Sequence, residues 1–518
     1  MNFGLTMSKS LDSSLQQIAK GTTIIFSGVI ASMALNFILR VALVRYTTQG
    51  DYGVYSLALT IISMLCIVST LGLDEGASRY IAYFLGKSDS SGVKRVIFSA
   101  LALALAASLI CAAALFIFSD AIALYVFHSR ELSNALKIIS LAIPSIVLIQ
   151  VLVSITRGFN ISIMKVLFND VMKPLSFLAL LLIVILLGLS FDAIITAYVA
   201  STSLTMLAFA AFTLKWYSGH YSAAPDAGGQ VTMGLIRFSI PLLSVNMLLM
   251  MMSQATTLLL GFFKTPIEVG KFDIAIMMGN LLLTVINSMG YIYMPTASSL
   301  YGKNQVEDLK RSYIISTKWG YIGTLPMLFA FLVFPGVVVD LLFGPRYSDV
   351  AILLQVLCLG YLINPLTGPN YHTLISMGKT RVIIESFLAN ALINLVLSIL
   401  LIPPMGVIGA AIAVSISVMV ANALLTVRLY QLLGVHPFTR NYVASILSSL
   451  LLLSLFFFGV KWLAIVPAPA TAIVCFIAYM AAYAALFIGL RAIDKEDAMI
   501  LSAVKLRLQS IPVIGQVL

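Results

Sequence analysis

"GTTIIFSGVIASMALNFILRVALV", residues 21–44, is apolar enough to enter a bilayer and long enough to cross one as a helix. A hydrocarbon core of about 30 Å needs about 20 residues at the helical rise. Within the run only Arg40 carries a charge. Such a cation inside a span costs about 2.5–3.5 kcal/mol on insertion scales, so its presence asks for a reason.

The rest of the chain repeats this pattern. Its 518 residues are 60% hydrophobic and 10% charged, with a mean hydropathy of +1.04. Soluble domains carry about 25% charged residues, so this chain has too little polar surface to cover a soluble fold. Apolar blocks fall near 21–44, 52–73, 93–118, 136–157, 166–188, 193–214, 234–260, 272–294, 313–334, 350–372, 382–402, 407–428, 441–460 and 468–490. They predict an all-α integral membrane protein of about 14 transmembrane helices. The first 20 residues are polar and the first block is too long for a cleaved apolar core, so no secretory signal is expected.

Charge distribution tests that count. With the N-terminus inside, 23 of the 31 Lys and Arg residues fall on inner segments and 7 on outer ones, leaving Arg40 within a helix. The bias follows the positive-inside rule and places both termini in the cytoplasm. The net charge of +11 is therefore a matter of topology, and no nucleic-acid partner is expected.

Sliding the chain against itself by 217 residues aligns "GDYGVYSLA" (50–58) with "IEVGKFDIA" (267–275), pairing Gly53 with Gly270. At an offset of 216, "GK" at 86–87 meets "GK" at 302–303, and "KR" at 94–95 meets "KR" at 310–311. A constant offset with one gap marks an internal repeat. The unit spans six helices, an even number, so the two copies enter the membrane from the same side. Parallel repeats of this kind flank the substrate path in transporters. The expected organisation is a cytoplasmic segment at 1–20, a first lobe of helices one to six at 21–230 and a second lobe of helices seven to twelve at 231–434. Two appended helices at 435–490 and a cytoplasmic amphipathic tail at 491–518 follow.

Polar residues keep to particular faces. Ser32, Asn36 and Arg40 lie four apart in the first helix, on one stripe. The seventh carries Asn246 and Gln254, and the eighth Asp273, Asn280 and Asn287. Helix–helix hydrogen bonding is one use for such amides, and contact with a polar cargo is another. Arg40 has three readings: snorkelling to headgroups, a structural ion pair, or an anion ligand facing a cavity. Asp273 is a candidate coupling group, or an interfacial carboxylate paired with Lys271 or Lys264. Asp74, Glu75 and Arg79 at the inner end of the second helix are close enough to pair and to gate an entrance, or to be a solvated loop.

Catalytic signatures are missing. "MGKT" at 377–380 lacks the glycine a phosphate-binding loop needs five residues before Gly378, where Thr373 stands. The four His are scattered, and the four Cys sit in apolar blocks without metal or disulfide spacing. No enzyme, cofactor or metal is expected.

Several stretches resemble the polysaccharide-transporter branch of the multidrug/oligosaccharidyl-lipid/polysaccharide exporter superfamily, the O-antigen-type (Wzx-type) lipid-linked oligosaccharide flippases. They are "RYTTQGDYGVYSLALT" (45–60), "PLLSVNMLLMMMSQATTLLLGFF" (241–263), "FGPRYSDVAILLQVLCLGYLINPLTGPNYHTLISMGKTR" (343–381) and "LLIPPMGVIGAAIA" (400–413). The resemblance implies two six-helix lobes in a V around a cationic cavity lined by the helix that carries Arg40. It also implies flipping of a polyprenyl-phosphate- or diphosphate-linked glycan from the inner to the outer leaflet of the cell membrane. Its expected partners are that glycolipid, membrane lipid and glycan-assembly enzymes, with the chain acting as a monomer. Many relatives carry an acidic residue just before "TLLLG", where this chain has Thr256, so the resemblance does not extend to ion coupling through that carboxylate. An ion-coupled multidrug exporter and a membrane-embedded glycan polymerase or ligase are the alternatives.

Overall fold

The computed structural model describes residues 28, 31–161, 163–220, 229–462 and 468–489. The expected N-terminal segment 1–20 and amphipathic tail 491–518 lie outside the described residues. Among those described, every regular element is a helix. The chain divides into two compact units, Met1–Gly270 and Lys271–Leu518.

In the first unit, α1 covers 31–46, the described part of the opening apolar block. Next come α2 (Gln49–Thr70), α3 (Leu73–Gly86), α4 (Ser90–Ala121), α5 (Arg130–Ser140) and α6 (Ala142–Gly158). After a π-helical segment, Lys165–Met172, follow α7 (Lys173–Leu186), α8 (Phe191–His220) and α9 (Gly229–Phe263). Thr48 starts α2 by accepting the Asp51 N–H at 3.1 Å, a side-chain cap for an orphan donor of the first turn. Leu71 and Gly72 both take left-handed conformations, φ 51° and 74°, and the chain ends α2 there and restarts as α3. That break puts Asp74 and Glu75 in the first turn of α3, where the helix dipole favours carboxylates. On the opposing helix, Ser154 accepts the Ser78 N–H at 3.0 Å and donates to the Leu73 carbonyl at 3.2 Å, fixing α6 against α3.

Pro174 explains the π segment. It has no N–H for the carbonyl of Asp170, and its ring crowds that carbonyl, so the ladder widens just before it. At the end of the first unit the backbones of Gly53 and Gly270 touch. A Cβ on Gly270 would stand 3.1 Å from the Gly53 Cα, and one on Gly53 only 1.8 Å from the Pro266 carbonyl oxygen. The contact needs glycine on both sides.

The second unit takes over within α10 (Pro266–Gly302) and continues through α11 (Val306–Val333), α12 (Pro335–Phe343), α13 (Val350–Tyr361), α14 (Ile363–Thr367) and α15 (Asn370–Ser376). It ends with α16 (Thr380–Leu433), α17 (Arg440–Trp462) and α18 (Pro469–Gly489). The 54 helical residues of α16 are not straight: Gly406 leaves helical geometry at φ 58°, ψ −135°. A Cβ on Gly409 would lie 2.2 Å from the Leu401 carbonyl oxygen. Residues eight apart in one helix are about 12 Å apart, so the chain reverses at Gly406 and α16 is a helical hairpin.

Gly368 and Pro369 break the span 350–376, freeing carbonyls that membrane burial would leave costly. Tyr442 of α17 donates toward the Pro365 and Leu366 carbonyls at 3.1 and 3.0 Å, and Tyr313 of α11 donates to that of Thr367. The residues of the first expected appended helix thus seal a break in the body of the second unit.

Among the described residues ten helices are long and apolar enough to cross a membrane, or twelve if each bent pair is one span. The bent pairs are α5–α6 at 46° and α11–α12 at 89°. The expected fourteen is not reached on that criterion. One reason is that α16 counts once although it reverses. The other is that only 31–46 of the first block is described.

Candidate functional site

Two cavities lie within the first unit. The larger, about 600 Å³, is lined by Asp74 and Glu75 of α3, Gln150 and Arg157 of α6, Lys165 and Asn169 of the π segment, and Asn246 and Gln254 of α9, among others. The smaller, about 290 Å³, is lined by Ser32, Asn36 and Arg40 of α1, together with Asn169, Asp170 and Lys173. Asn169 borders both.

Arg157 stands in the last turn of α6, where the carbonyl end of the helix favours a cation. Its Nη2 is 2.8 Å from Glu75 Oε2 and donates to the Asp74 carbonyl at 2.6 Å, while Nη1 donates to Glu75 Oε1 at 3.1 Å. The Asn246 amide donates to Asp74 Oδ2 at 3.0 Å. Asp74 Oδ1 is buried and, among the described residues, meets no donor. Lys165 lies 3.7 Å from Asp170 Oδ2, and the Asn169 amide donates to Asp170 Oδ1 at 2.7 Å. Two carboxylates, two cations and four amide side chains therefore face the larger space.

Asp74, Glu75 and Arg79, read as a pairing group or a solvated loop, take separate partners. Glu75 pairs with Arg157, 82 residues away, Asp74 with Asn246, and Arg79 stacks over the Phe238 ring at 4.1 Å. In α1, Ser32 is buried, Arg40 half-buried and Asn36 exposed, with the Asn36 amide donating to the Ser32 carbonyl at 2.9 Å. Asn246 and Gln254 line the larger cavity; Asn280 and Asn287 line neither. These two sit on an exposed face of α10 with Tyr291, and the Thr284 hydroxyl donates to the Asn280 carbonyl at 3.1 Å. Asp273 is half-buried on the same helix, and its expected partner Lys271 forms its ion pair with Asp349. Among the described residues no group of three or more His, Cys, Asp or Glu side chains is placed to hold a metal.

Among the charged and amide residues that line the two cavities, sequence reasoning passed over Arg157, Lys165, Gln150, Asn169, Asp170 and Lys173. A signal was present for some. In "KVLFNDVMK" (165–173), Lys165, Asn169 and Lys173 stand four apart, the same spacing that marks Ser32, Asn36 and Arg40.

The sequence profile of the family described as "Polysaccharide biosynthesis protein" matches residues 18–301, more than half the chain. The chain belongs to this family. A second profile, MatE, matches residues 241–400. Among curated proteins similar to this chain, "Uncharacterized membrane protein MJ1068" of Methanocaldococcus jannaschii is 23% identical over 398 residues, 73% of this chain and 76% of that one. "Probable low-salt glycan biosynthesis flippase Agl15" of Haloferax volcanii is 20% identical over 166 residues, 32% of this chain and 35% of the other. Among solved structures, "Lipid II flippase MurJ, inward closed conformation" superposes with a TM-score of 0.72 at 13% identity, over 89% of this chain and 98% of that one. At that identity the likeness shows the fold: this member of the polysaccharide biosynthesis family is a multi-pass membrane protein with a transporter fold.

Proposed function

We propose that the protein is a flippase for a polyprenyl-phosphate- or diphosphate-linked oligosaccharide. It moves the glycolipid from the cytoplasmic to the outer leaflet of the cell membrane by alternating access, for assembly of a surface polysaccharide or glycoprotein glycan. The substrate is carried without covalent change, both termini are cytoplasmic, and the chain works as a monomer beside glycan-assembly enzymes. Family membership and the function named for Agl15 support this reading.

One observation carries it to the residues: a single cavity of about 600 Å³ combines Arg157 and Lys165 with Gln150, Asn169, Asn246 and Gln254. A phosphate in hydrocarbon needs a cationic partner, and a guanidinium offers paired donors in matching geometry. Amides exchange hydrogen bonds with sugar hydroxyls without demanding one sugar. In the smaller cavity Arg40 and Lys173 offer a second cationic pair, with Arg40 as the phosphate's ligand there.

A multidrug exporter is the second reading, favoured by the MatE match. It is weaker because the larger cavity balances two cations against two carboxylates and the smaller sets Arg40 and Lys173 against Asp170 alone, so neither offers a cationic drug an excess of negative charge. Thermal unfolding of the detergent-solubilised protein separates the two. A ligand of the native state raises the midpoint, by about 2.7 kcal/mol of added stability at 100 times its Kd. A prenyl-diphosphate-linked oligosaccharide is expected to raise the Tm and a lipophilic cation to leave it unchanged. The reverse pattern contradicts the flippase.

A further inference from the structure

We infer that the larger cavity is an anion site for a phosphate-bearing headgroup, and that Glu75 is its built-in competitor, holding Arg157 until the phosphate displaces it. The inference rests on the flippase reading for the source of the phosphate and adds which residues take it and in what order.

The geometry is that of an occupied anion site. Arg157 presents two nitrogens to the two oxygens of Glu75, at 2.8 and 3.1 Å, the paired arrangement a guanidinium makes with a phosphate as readily as with a carboxylate. Its Nη2 is oriented by the Asp74 carbonyl, a backbone group that stays when Glu75 leaves. Both side chains remain accessible from the cavity, 41% exposed for Arg157 and 54% for Glu75. Exposed ion pairs are worth little, so opening this one is a small cost against the gain of a doubly charged ligand. Lys165 lines the same cavity as a second cation, 55% exposed and 3.7 Å from its carboxylate partner, with room to turn toward an incoming anion.

A competitor on the protein itself has a use in transport. A site that bound diphosphate with two unopposed cations would hold it too tightly to release, and the cycle requires unequal affinity in its two states. Glu75 supplies the opposing charge from within one helix turn of Asp74, so release needs only its return.

The test is titration calorimetry on the full chain in detergent, with geranyl diphosphate as the lipid probe and inorganic diphosphate as the free-anion probe. Glu75→Gln is expected to tighten geranyl diphosphate binding about two- to fivefold, the range an exposed ion pair is worth. Arg157→Gln is expected to weaken it about tenfold or more, as loss of charge-assisted hydrogen bonds does. The double variant should match Arg157→Gln, since without the guanidinium Glu75 has nothing to occupy. Glu131→Gln removes the same charge elsewhere and should leave the affinity unchanged. A gain of affinity in Glu75→Gln cannot come from misfolding. Binding of both probes assigns recognition to the phosphates alone; binding of geranyl diphosphate only assigns it to the lipid headgroup. Unchanged or weaker binding in Glu75→Gln, or wild-type binding in Arg157→Gln, overturns the inference while leaving glycolipid transport standing. A wild type that binds neither probe and moves no glycolipid overturns both.

Discussion

Arg40 is half-buried and lines the smaller cavity with Asp170 and Lys173, where the proposal makes it a phosphate ligand and not a structural ion-pair partner or a snorkelling side chain. Replacing it tests the choice. Arg40→Gln is expected to abolish glycolipid transport at unchanged protein level, measured by flipping in reconstituted vesicles. Retained transport would return Arg40 to a structural or interfacial role. Its stripe with Ser32 and Asn36 was legible because spacing by four is a local property of the chain. Arg157 was not, because a basic residue at the inner end of a span reads as ordinary topology. Its partner Glu75 lies 82 residues away, and nothing in sequence alone sets that distance. The partners of Asp74, Glu75 and Arg79 were hidden for the same reason, since they stand on α6 and α9.

Breaks in the helices position most of the chemistry. Some announce themselves: Gly368 with Pro369 interrupts the span at 350–376, and Pro403, Pro404 and Gly406 turn α16 back on itself. Others are hidden. Leu71 takes a left-handed conformation that its type disfavours, and the break that sets Asp74 and Glu75 into a first turn is carried by Gly72 beside it. The π segment follows from Pro174, but how far the ladder widens depends on packing that one residue does not reveal. Tyr442 makes the cost of a break measurable. Tyr442→Phe removes the hydroxyl shared by the Pro365 and Leu366 carbonyls and is expected to destabilise the protein by about 1–3 kcal/mol, the penalty of a buried acceptor left unpaired. Thermal or denaturant unfolding in detergent reads the change. An unaltered Tm would mean that the freed carbonyls find other donors.

For the molecule as a whole, composition alone separated a membrane chain from a soluble one, and block length gave its helical class. The span count was harder. A bent pair such as α11–α12 and a hairpin such as α16 are apolar throughout, and hydropathy does not register the turn within them. Family and fold agree with the proposed transport cycle, in which the two cavities would take the phosphate and sugar of the cargo. The direct test is flipping itself. Purified protein is reconstituted into vesicles with a fluorescent prenyl-diphosphate-linked oligosaccharide, and a membrane-impermeant quencher reports the outer leaflet. With the protein present, label from both leaflets becomes accessible, while protein-free vesicles keep their inner pool protected. Protection unchanged by the protein, in vesicles that instead move a lipophilic cation, would contradict the flippase and point to an exporter.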